Sequence, residues 1–192
     1  KNIQSDNVRC LNMPKGIYGK KYAIKKAVES ANGDIIIVTD ADCSFSLDWI
    51  KVMASCFDDD NVKLVSGPVS YKKKSGLFNY FQSLEFISLV GSGAASIGCE
   101  RAILCNGANM AYRKEVFLEL NTYASEDCVS GDDVFFLHQV KEKYPKGILF
   151  IKDSRAIVET IPSLGYREFY NQRKRWTAKS INYNDVSTIF VS

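Results

Sequence analysis

The sequence has little of what a cysteine- and histidine-based metal site needs. It contains six cysteines, scattered without a CxxC pair, and a single histidine. Ordinary zinc sites use sets of such ligands at short, regular spacings, so this kind of site is excluded. The scattered cysteines also form no disulfide framework, and we expect them to be small core residues in a reducing compartment.

Long apolar runs are missing as well. The longest stretch without a charged residue covers residues 86–99 and is rich in serine and glycine. Because a membrane-spanning helix needs about 20 mostly apolar residues, we expect no transmembrane helix in this sequence. It also shows no signal-peptide pattern, internal repeat or low-complexity linker.

The net charge is small, at +3 from 25 basic and 22 acidic residues. A charge of this size does not by itself indicate nucleic-acid binding, and we expect no nucleic-acid partner. The charges are nevertheless grouped. Acidic residues occur together at residues 58–60 and 132–133, whereas basic residues concentrate towards the C-terminal end, at Arg167, Arg173, Lys174, Arg175 and Lys179.

Strand and helix patterns alternate along the 192 residues, of which 46% are hydrophobic. Helical spacing predicts helices over residues 20–30, 46–57, 77–97, 114–120, 132–144 and 163–180. Strand patterns cover residues 8–11, 35–39, 62–71, 109–113, 148–151 and 156–159. The alternation predicts one α/β domain over residues 1–192, with a mostly parallel sheet flanked by helices.

Two aspartates follow a continuous apolar strand in IIIVTDADC, residues 35–43. The continuous run predicts a fully buried strand. In open α/β sheets ligands bind beyond the carboxyl ends of the strands, and a hard divalent cation there takes carboxylate and phosphate oxygens. Asp40 and Asp42 could therefore hold a metal. The alternative is an aspartate helix cap beside a solvated loop charge. Independently of this choice, Ser46 is predicted to cap the next helix, with Asp48 in its first turn.

Two further motifs combine residues suited to chemistry. In GDDVFF, residues 131–136, one carboxylate could act as a general base, although first-turn acids that complement a helix dipole are an alternative. In QRKRW, residues 172–176, Gln172, Arg175 and Trp176 share one helix face while Arg173 and Lys174 point elsewhere. That face could bind phosphate and stack on a sugar, or the helix could lie on anionic lipid.

Taken together, the motifs IVTDADCSFSLDWI, SGDDVFF and QRKRW resemble those of the family 2 glycosyltransferases in order and approximate spacing. The match is to the membrane-attached, inverting branch that includes cellulose, chitin and hyaluronan synthases and ceramide glucosyltransferase. GKKYA, residues 19–23, and CNGANMAYRK, residues 105–114, resemble two further family segments. The resemblance covers nearly the whole chain and implies a GT-A fold.

The resemblance also implies a reaction, in which a sugar is transferred with inversion from a UDP-linked donor to a glycan or lipid acceptor. Mg²⁺ or Mn²⁺ is the implied cofactor, held by Asp40 and Asp42. The other residues implied to bind the donor are Lys20, Gln172 and Arg175. Those implied at the acceptor are Asn106, Gly107, Asp132 and Trp176, with Asp133 as the general base. Residues 1–71 would form the donor and metal part, and residues 72–192 the acceptor side.

The sequence departs from the family pattern in two places. The first two family strands have no counterpart and are expected upstream of Lys1, so we interpret the chain as a fragment. The usual Thr-Glu-Asp is replaced by residues 131–133. His138 and Cys43 are predicted to be structural, since a lone histidine is a weak signal and a thiol is a poor ligand for a hard ion.

We expect the domain to lie at the cytoplasmic face of a membrane, through flanking segments. The last residues, 186–192, turn apolar and are interpreted as the approach to a membrane helix. Two other hypotheses stay open at this point. One is a binding module for glycans or membranes that has lost turnover, and the other is a sugar nucleotidyltransferase.

Overall fold

The computed structural model describes residues 8–12, 19–120 and 132–180. Within them the helices are α1 (Lys20–Ser30), α2 (Trp49–Ser55), α3 (Leu77–Gly98), α4 (Lys114–Leu120), α5 (Asp132–Lys143) and α6 (Tyr166–Ser180). The strands are β1 (Ile35–Val38), β2 (Ser44–Phe45), β3 (Leu64–Ser66), β4 (Val69–Tyr71), β5 (Met110–Arg113), β6 (Ile148–Phe150) and β7 (Val158–Thr160). Short 3-10 helices lie at Cys56–Asp58 and Ser154–Ala156.

The central sheet has the strand order β1-β5-β3-β6 and is mixed rather than simply parallel. β1, β3 and β6 run in one direction, whereas β5 is antiparallel to both of its neighbours. In the pairing of β1 with β5, Val38 lies opposite Met110. The loop that precedes β5 therefore lies at the same end of the strands as the residues that follow β1.

A second sheet has the strand order β2-β7-β4. Two of its strands closely follow strands of the central sheet in the sequence. Its strand β2 begins two residues after Asp42, and β4 begins three residues after the end of β3. The predicted strand over residues 62–71 is thus two strands in different sheets, and the chain passes from one sheet to the other at Gly67 and Pro68. The expected break at this pair is confirmed.

The prediction that the strand after residue 34 is fully buried is wrong. All four residues of β1 are half-buried. Among the described residues β1 is the edge strand of its sheet, with β5 as its neighbour. A strand with a single neighbour keeps part of its surface exposed even when its residues are uniformly apolar.

Three local predictions also differ from the structure. Residues 8–12 are exposed and form no strand. Ser46 does not cap α2, which begins at Trp49, because its hydroxyl accepts the N–H of Asp48 in the preceding turn at 3.0 Å. The helix α3 continues through Gly93 without fraying. A Cβ on this glycine would lie 2.9 Å from the Leu104 carbonyl oxygen, so the glycine permits close packing rather than a break.

The core lies on both faces of the central sheet. Side chains that alternate along β3 and β5 point to opposite faces. On one face Leu64 and Tyr112 pack with Phe136 of α5, and on the other Val65 packs with Met53 of α2. No helix in the described ranges is long and apolar enough to cross a membrane.

The two sheets are joined through the buried side chain of Asn109, which has no exposed surface. Its amide nitrogen donates to the carbonyls of Pro68 at 2.8 Å and Ala156 at 2.7 Å. Its amide oxygen accepts the indole N–H of Trp49 at 3.1 Å. A Cβ at residue 67 would lie 2.4 Å from this amide, so only glycine fits there.

We predict that Asn109→Ala lowers the free energy of unfolding by about 2–3 kcal/mol, because it leaves the Trp49 indole N–H and the Ala156 carbonyl buried without this partner. The Pro68 carbonyl keeps the N–H of Val158 at 3.0 Å. Urea unfolding of the variant measures this. Asn171→Ala, at an exposed position of α6, is the control and should change stability by less than about 0.5 kcal/mol. Equal effects of the two substitutions would contradict the role given to Asn109.

Candidate functional site

The aspartate pair predicted from the sequence lies at the end of β1. The backbone carbonyl of Asp40 accepts the N–H of Cys43 at 3.2 Å, which closes a tight turn with Asp42 inside it. The Asp40 carboxylate forms an ion pair with Lys20, the first residue of α1. Lys20 was predicted as a donor contact, and it lies directly beside the aspartate pair.

Asp42 is exposed and contacts the second sheet. The Thr160 hydroxyl at the end of β7 donates to its Oδ2 at 3.3 Å, and the Cys43 thiol lies 3.8 Å from its Oδ1. Burial raises the pKa of the Cys43 thiol, and the charge of Asp42 adds to the increase. Cys43 is therefore a neutral thiol at physiological pH, as its predicted packing role requires.

The groups at this turn fit a hard divalent cation. Two carboxylates and one hydroxyl offer oxygen atoms only, which suits Mg²⁺ or Mn²⁺. The described part of the chain holds no cluster of three or more histidine, cysteine, aspartate or glutamate side chains that could bind a metal. Mg²⁺ commonly uses one or two carboxylates and takes its other ligands from phosphates and water, so a pair of carboxylates is compatible with such an ion.

Asp133 lies at the start of α5 and is half-buried. Its Oδ2 accepts the backbone N–H of Gly107 at 2.9 Å, and its Oδ1 accepts the N–H of Val134 at 3.0 Å. A Cβ on residue 107 would lie 3.0 Å from the same Oδ2, so the glycine lets the carboxylate approach the loop. The Asn106 side chain closes this loop by accepting the N–H of Ala108 at 3.0 Å.

Three predicted residues, Asp133, Asn106 and Gly107, thus come together in one place. Asp132 begins α5, but its side chain lies outside the described residues, as do residues 130 and 131 of the same motif. The apolar tail at residues 186–192 and the side chain of Lys179 also lie outside what the structure describes.

Further contacts from α5 fix the loop before β5. The Cys105 thiol donates to the Asp133 carbonyl at 3.4 Å, and burial raises the pKa of this thiol well above its ordinary value. A ring nitrogen of His138 lies 3.2 Å from the Ile103 carbonyl oxygen, which fits the structural role predicted for the histidine. Nothing local in the sequence could have indicated these contacts, because they join residues 28 and 35 positions apart.

The arrangement of α6 differs from the prediction. Arg173 does not point away from Gln172 and Trp176: it donates to the Gln172 Oε1 at 2.8 Å and lies 4.2 Å from the centroid of the indole ring. The guanidinium also lies 4.5 Å from the Phe169 ring centroid. Phe169, Arg173 and Trp176 form a row at helical spacing, whereas Arg175 is exposed.

Two consecutive basic residues, Arg113 at the end of β5 and Lys114 at the start of α4, lie away from the site. Because β5 runs antiparallel to β1, Arg113 lies opposite Ile35, at the start of β1. There it donates to the carbonyls of Val62 at 2.9 Å and Phe57 at 3.0 Å. The Lys114 ammonium donates to the Ala31 carbonyl at 2.6 Å. Both side chains therefore bind backbone carbonyls away from the site, although the segment that contains them begins at the site.

One small apolar cluster connects all three motifs. Its buried members are Val69, Tyr71, Phe86 and Ala108, and the half-buried side chains packed against it are Cys43, Val90 and Trp176. Each motif contributes to it directly or through a neighbour. Cys43 follows Asp42, Ala108 follows the glycine bonded to Asp133, and Trp176 belongs to the α6 motif. The Tyr71 hydroxyl also donates to the Gln172 Oε1 at 3.4 Å.

The chain is similar to known proteins in both sequence and fold. A curated relative, the glucosyl-dolichyl phosphate glucuronosyltransferase of Haloferax volcanii, is 23% identical over 168 residues, and the alignment covers 86% of this chain. It covers 49% of the relative, so the chain spans about half the length of that protein.

Among solved structures, glucosyl-3-phosphoglycerate synthase from Mycobacterium tuberculosis in complex with Mn²⁺ and UDP-glucose superposes with a TM-score of 0.50 at 15% identity. The superposition covers 83% of this chain and 52% of that one, and it shows a common fold. The predicted α/β fold of the GT-A type is confirmed, with the mixed sheet described above.

The sequence model of glycosyl transferase family 2 matches residues 1–120. The matched part contains Lys20, the aspartate pair and the loop with Asn106 and Gly107. It covers more than half of the 192 residues, so this chain belongs to glycosyl transferase family 2.

Proposed function

We propose that the protein is an inverting glycosyltransferase that moves a sugar from a UDP-linked donor to a glycan or lipid acceptor. The observation that carries this proposal is the small apolar cluster around Tyr71 and Phe86. Cys43 and Trp176 pack against it, and Ala108 within it follows Gly107, whose N–H binds Asp133. Groups suited to bind a metal, accept a proton and bind a diphosphate thereby lie around one centre. Membership of glycosyl transferase family 2 supports the same reaction class.

On the donor side, Asp40 and Asp42 would hold Mg²⁺ or Mn²⁺. A bound cation there would neutralise the carboxylate pair and the charge of the diphosphate leaving group. Lys20 already neutralises part of the charge of Asp40, and its side chain would lie close to the donor. The structural neighbour from Mycobacterium tuberculosis, which was solved with Mn²⁺ and UDP-glucose, is consistent with this proposal.

The α6 motif would bind the rest of the donor and the acceptor sugar. Gln172 and the exposed Arg175 would donate hydrogen bonds to the diphosphate, and the guanidinium fork of Arg175 suits phosphate oxygens. Trp176 would lie under the acceptor sugar with the part of its ring that Arg173 and Phe86 leave uncovered.

On the acceptor side, Asp133 would act as the general base, with Asn106, Gly107 and Asp132 lining the acceptor. The acceptor oxygen would attack the anomeric carbon from the face opposite the diphosphate. The bond from that carbon to the phosphate oxygen would break, and its electron pair would leave with the diphosphate. The proton of the acceptor hydroxyl would pass to the Asp133 carboxylate, which the N–H of Gly107 holds in place.

We also propose that the protein works at the cytoplasmic face of a membrane, as the membrane-attached branch of the family does. One surface of the described residues supports this. The α3 helix carries five apolar side chains, each more than half exposed, which we call the apolar stripe: Leu77, Tyr80, Phe81, Leu84 and Ile87. Three consecutive lysines, residues 72–74, precede it. A stripe of this kind beside basic residues fits an anionic lipid surface.

The two other hypotheses predict different products. A binding module without turnover would bind UDP or glycan but release no sugar from the donor. A sugar nucleotidyltransferase would form UTP from UDP-sugar and pyrophosphate. Incubating the full-length protein with UDP-glucose, UDP-glucuronate or UDP-N-acetylglucosamine and Mn²⁺, with and without pyrophosphate, separates these activities from sugar transfer.

We predict that Asp133→Asn in the full-length protein lowers the transfer rate by about 10²–10⁴-fold, the usual contribution of a general base. The amide keeps an oxygen for the Gly107 N–H, so the fold and the affinity for UDP with Mn²⁺ should stay within about threefold of the unmodified protein. Transfer kinetics and calorimetric titration of UDP measure the two effects.

Asp60→Asn is the matched control for this substitution, since the Asp60 side chain is fully exposed and lies outside the site. It should leave the transfer rate unchanged. An Asp133→Asn variant with unchanged turnover would remove Asp133 from the role of base.

We predict that Asp42→Ala weakens UDP binding in the presence of Mn²⁺ by at least about tenfold, which corresponds to about 1.4 kcal/mol. Without the Asp42 carboxylate, UDP binding should no longer depend on Mn²⁺ concentration. Calorimetric titration of UDP at several Mn²⁺ concentrations measures both effects. Asp58→Ala, an exposed acidic position, is the control. Retention of full Mn²⁺ dependence in Asp42→Ala would place the metal elsewhere.

We predict that replacing two residues of the apolar stripe, Tyr80→Ser with Leu84→Ser, weakens binding to vesicles containing phosphatidylglycerol by about tenfold or more, because less apolar surface is buried in the lipid. Vesicle co-sedimentation of this chain measures it. Leu118→Ser, an exposed leucine on α4, should have no effect. Equal binding of all three proteins, or no preference over phosphatidylcholine, would rule out this membrane surface.

A further inference from the structure

Two polar contacts fasten α6 and the segment just before it to α3. The buried Gln82 side chain exchanges a pair of hydrogen bonds with the backbone of Ser163: its Nε2 donates to the carbonyl at 3.2 Å, and its Oε1 accepts the N–H at 3.1 Å. One turn further along α3, Glu85 binds the guanidinium of Arg173. The position of α6 relative to α3 is therefore fixed at both points.

The contact of Arg173 with Glu85 is bidentate. Nε donates to one carboxylate oxygen at 2.7 Å, and a terminal nitrogen binds the other oxygen. The Arg173 side chain is only 17% exposed. Its planar group also covers the rings of Phe169 and Trp176. A lysine could keep the charge but neither the fork nor the stacking.

The remaining terminal nitrogen of Arg173 fixes the amide of Gln172. It donates to the Gln172 Oε1 at 2.8 Å, and the Tyr71 hydroxyl lies 3.4 Å from the same oxygen. Burial raises the pKa of the Tyr71 phenol, so this hydroxyl stays protonated and can donate. Because arginine has no acceptor, the amide oxygen rather than the NH₂ group must face it.

We propose that Arg173 is a positioning residue for donor binding: it holds the amide oxygen of Gln172 and thereby leaves both amide N–H groups to the diphosphate. Glu85 supports this role by holding Arg173 in turn. Three of the five N–H groups of Arg173 already donate to Glu85 and Gln172, and the side chain is largely buried, so this arrangement does not present Arg173 as a phosphate ligand. The inference rests on the proposed function, since it takes Gln172 as a ligand of the diphosphate.

Four variants of the full-length protein test this inference, with the affinity for UDP in the presence of Mn²⁺, the donor KM, kcat and the melting temperature as readouts. Arg173→Lys and Glu85→Gln should each weaken UDP binding and raise the donor KM by about five- to tenfold, with a smaller change in kcat. Gln172→Glu should keep its bonds to Arg173 and Tyr71, and hence its melting temperature. It should nevertheless lose UDP affinity by more than tenfold, because it has no N–H donors and adds a negative charge. Arg167→Lys, an exposed position on the same helix, is the control and should change nothing.

A double-mutant cycle separates positioning from a purely structural role. If Arg173 acts through Gln172, Arg173→Lys should weaken UDP binding by less than about twofold when Gln172 is already alanine. Equal losses in both backgrounds, or unchanged UDP affinity in Arg173→Lys, would overturn the positioning role while leaving the proposed function intact. Failure of the unmodified full-length protein to bind UDP with Mn²⁺ would instead overturn the proposed function and this inference together.

Discussion

The packing of four buried side chains, Val69, Tyr71, Phe86 and Ala108, is the interaction on which the site depends. The three chemical motifs are far apart in the sequence and come from the end of β1, the start of α5 and the middle of α6. None of them could act on a common substrate without a shared support. In the proposed site the cluster provides it. Tyr71 of β4 donates to Gln172, Phe86 of α3 contacts Trp176, and Ala108 follows the glycine whose N–H binds Asp133.

The carboxylates of the site are stabilised in different ways. Two carboxylates separated by one residue repel each other unless a cation lies close to them. Lys20 supplies a positive charge to Asp40, but an exposed ion pair of this kind contributes little to folding stability. It offsets part of the charge of Asp40, whereas Asp42 in the same turn is exposed. The Asp133 carboxylate differs from this pair, because it accepts hydrogen bonds from backbone N–H groups rather than pairing with a cation.

The sequence predicts the elements whose signals are local. The helices Lys20–Ser30 and Lys114–Leu120 have the predicted bounds, because apolar spacing and the residues that end them lie within a few positions. The contacts that orient the site could not be predicted. Arg173 was expected to point away from Gln172, and its true position depends on Glu85, 88 residues earlier in the chain. The reversed direction of β5 is likewise set by pairing between distant strands.

The proposed function requires that the groups for metal, proton and diphosphate line a single cleft. A crystal structure of the full-length protein with Mn²⁺ and UDP, using the anomalous signal of manganese, tests it most directly. We expect the manganese peak beside Asp42, with the diphosphate extending towards Gln172 and the Asp133 carboxylate facing the same cavity. A manganese peak remote from Asp42, or a diphosphate in a pocket that Asp133 and Gln172 do not line, would contradict the proposed common cleft.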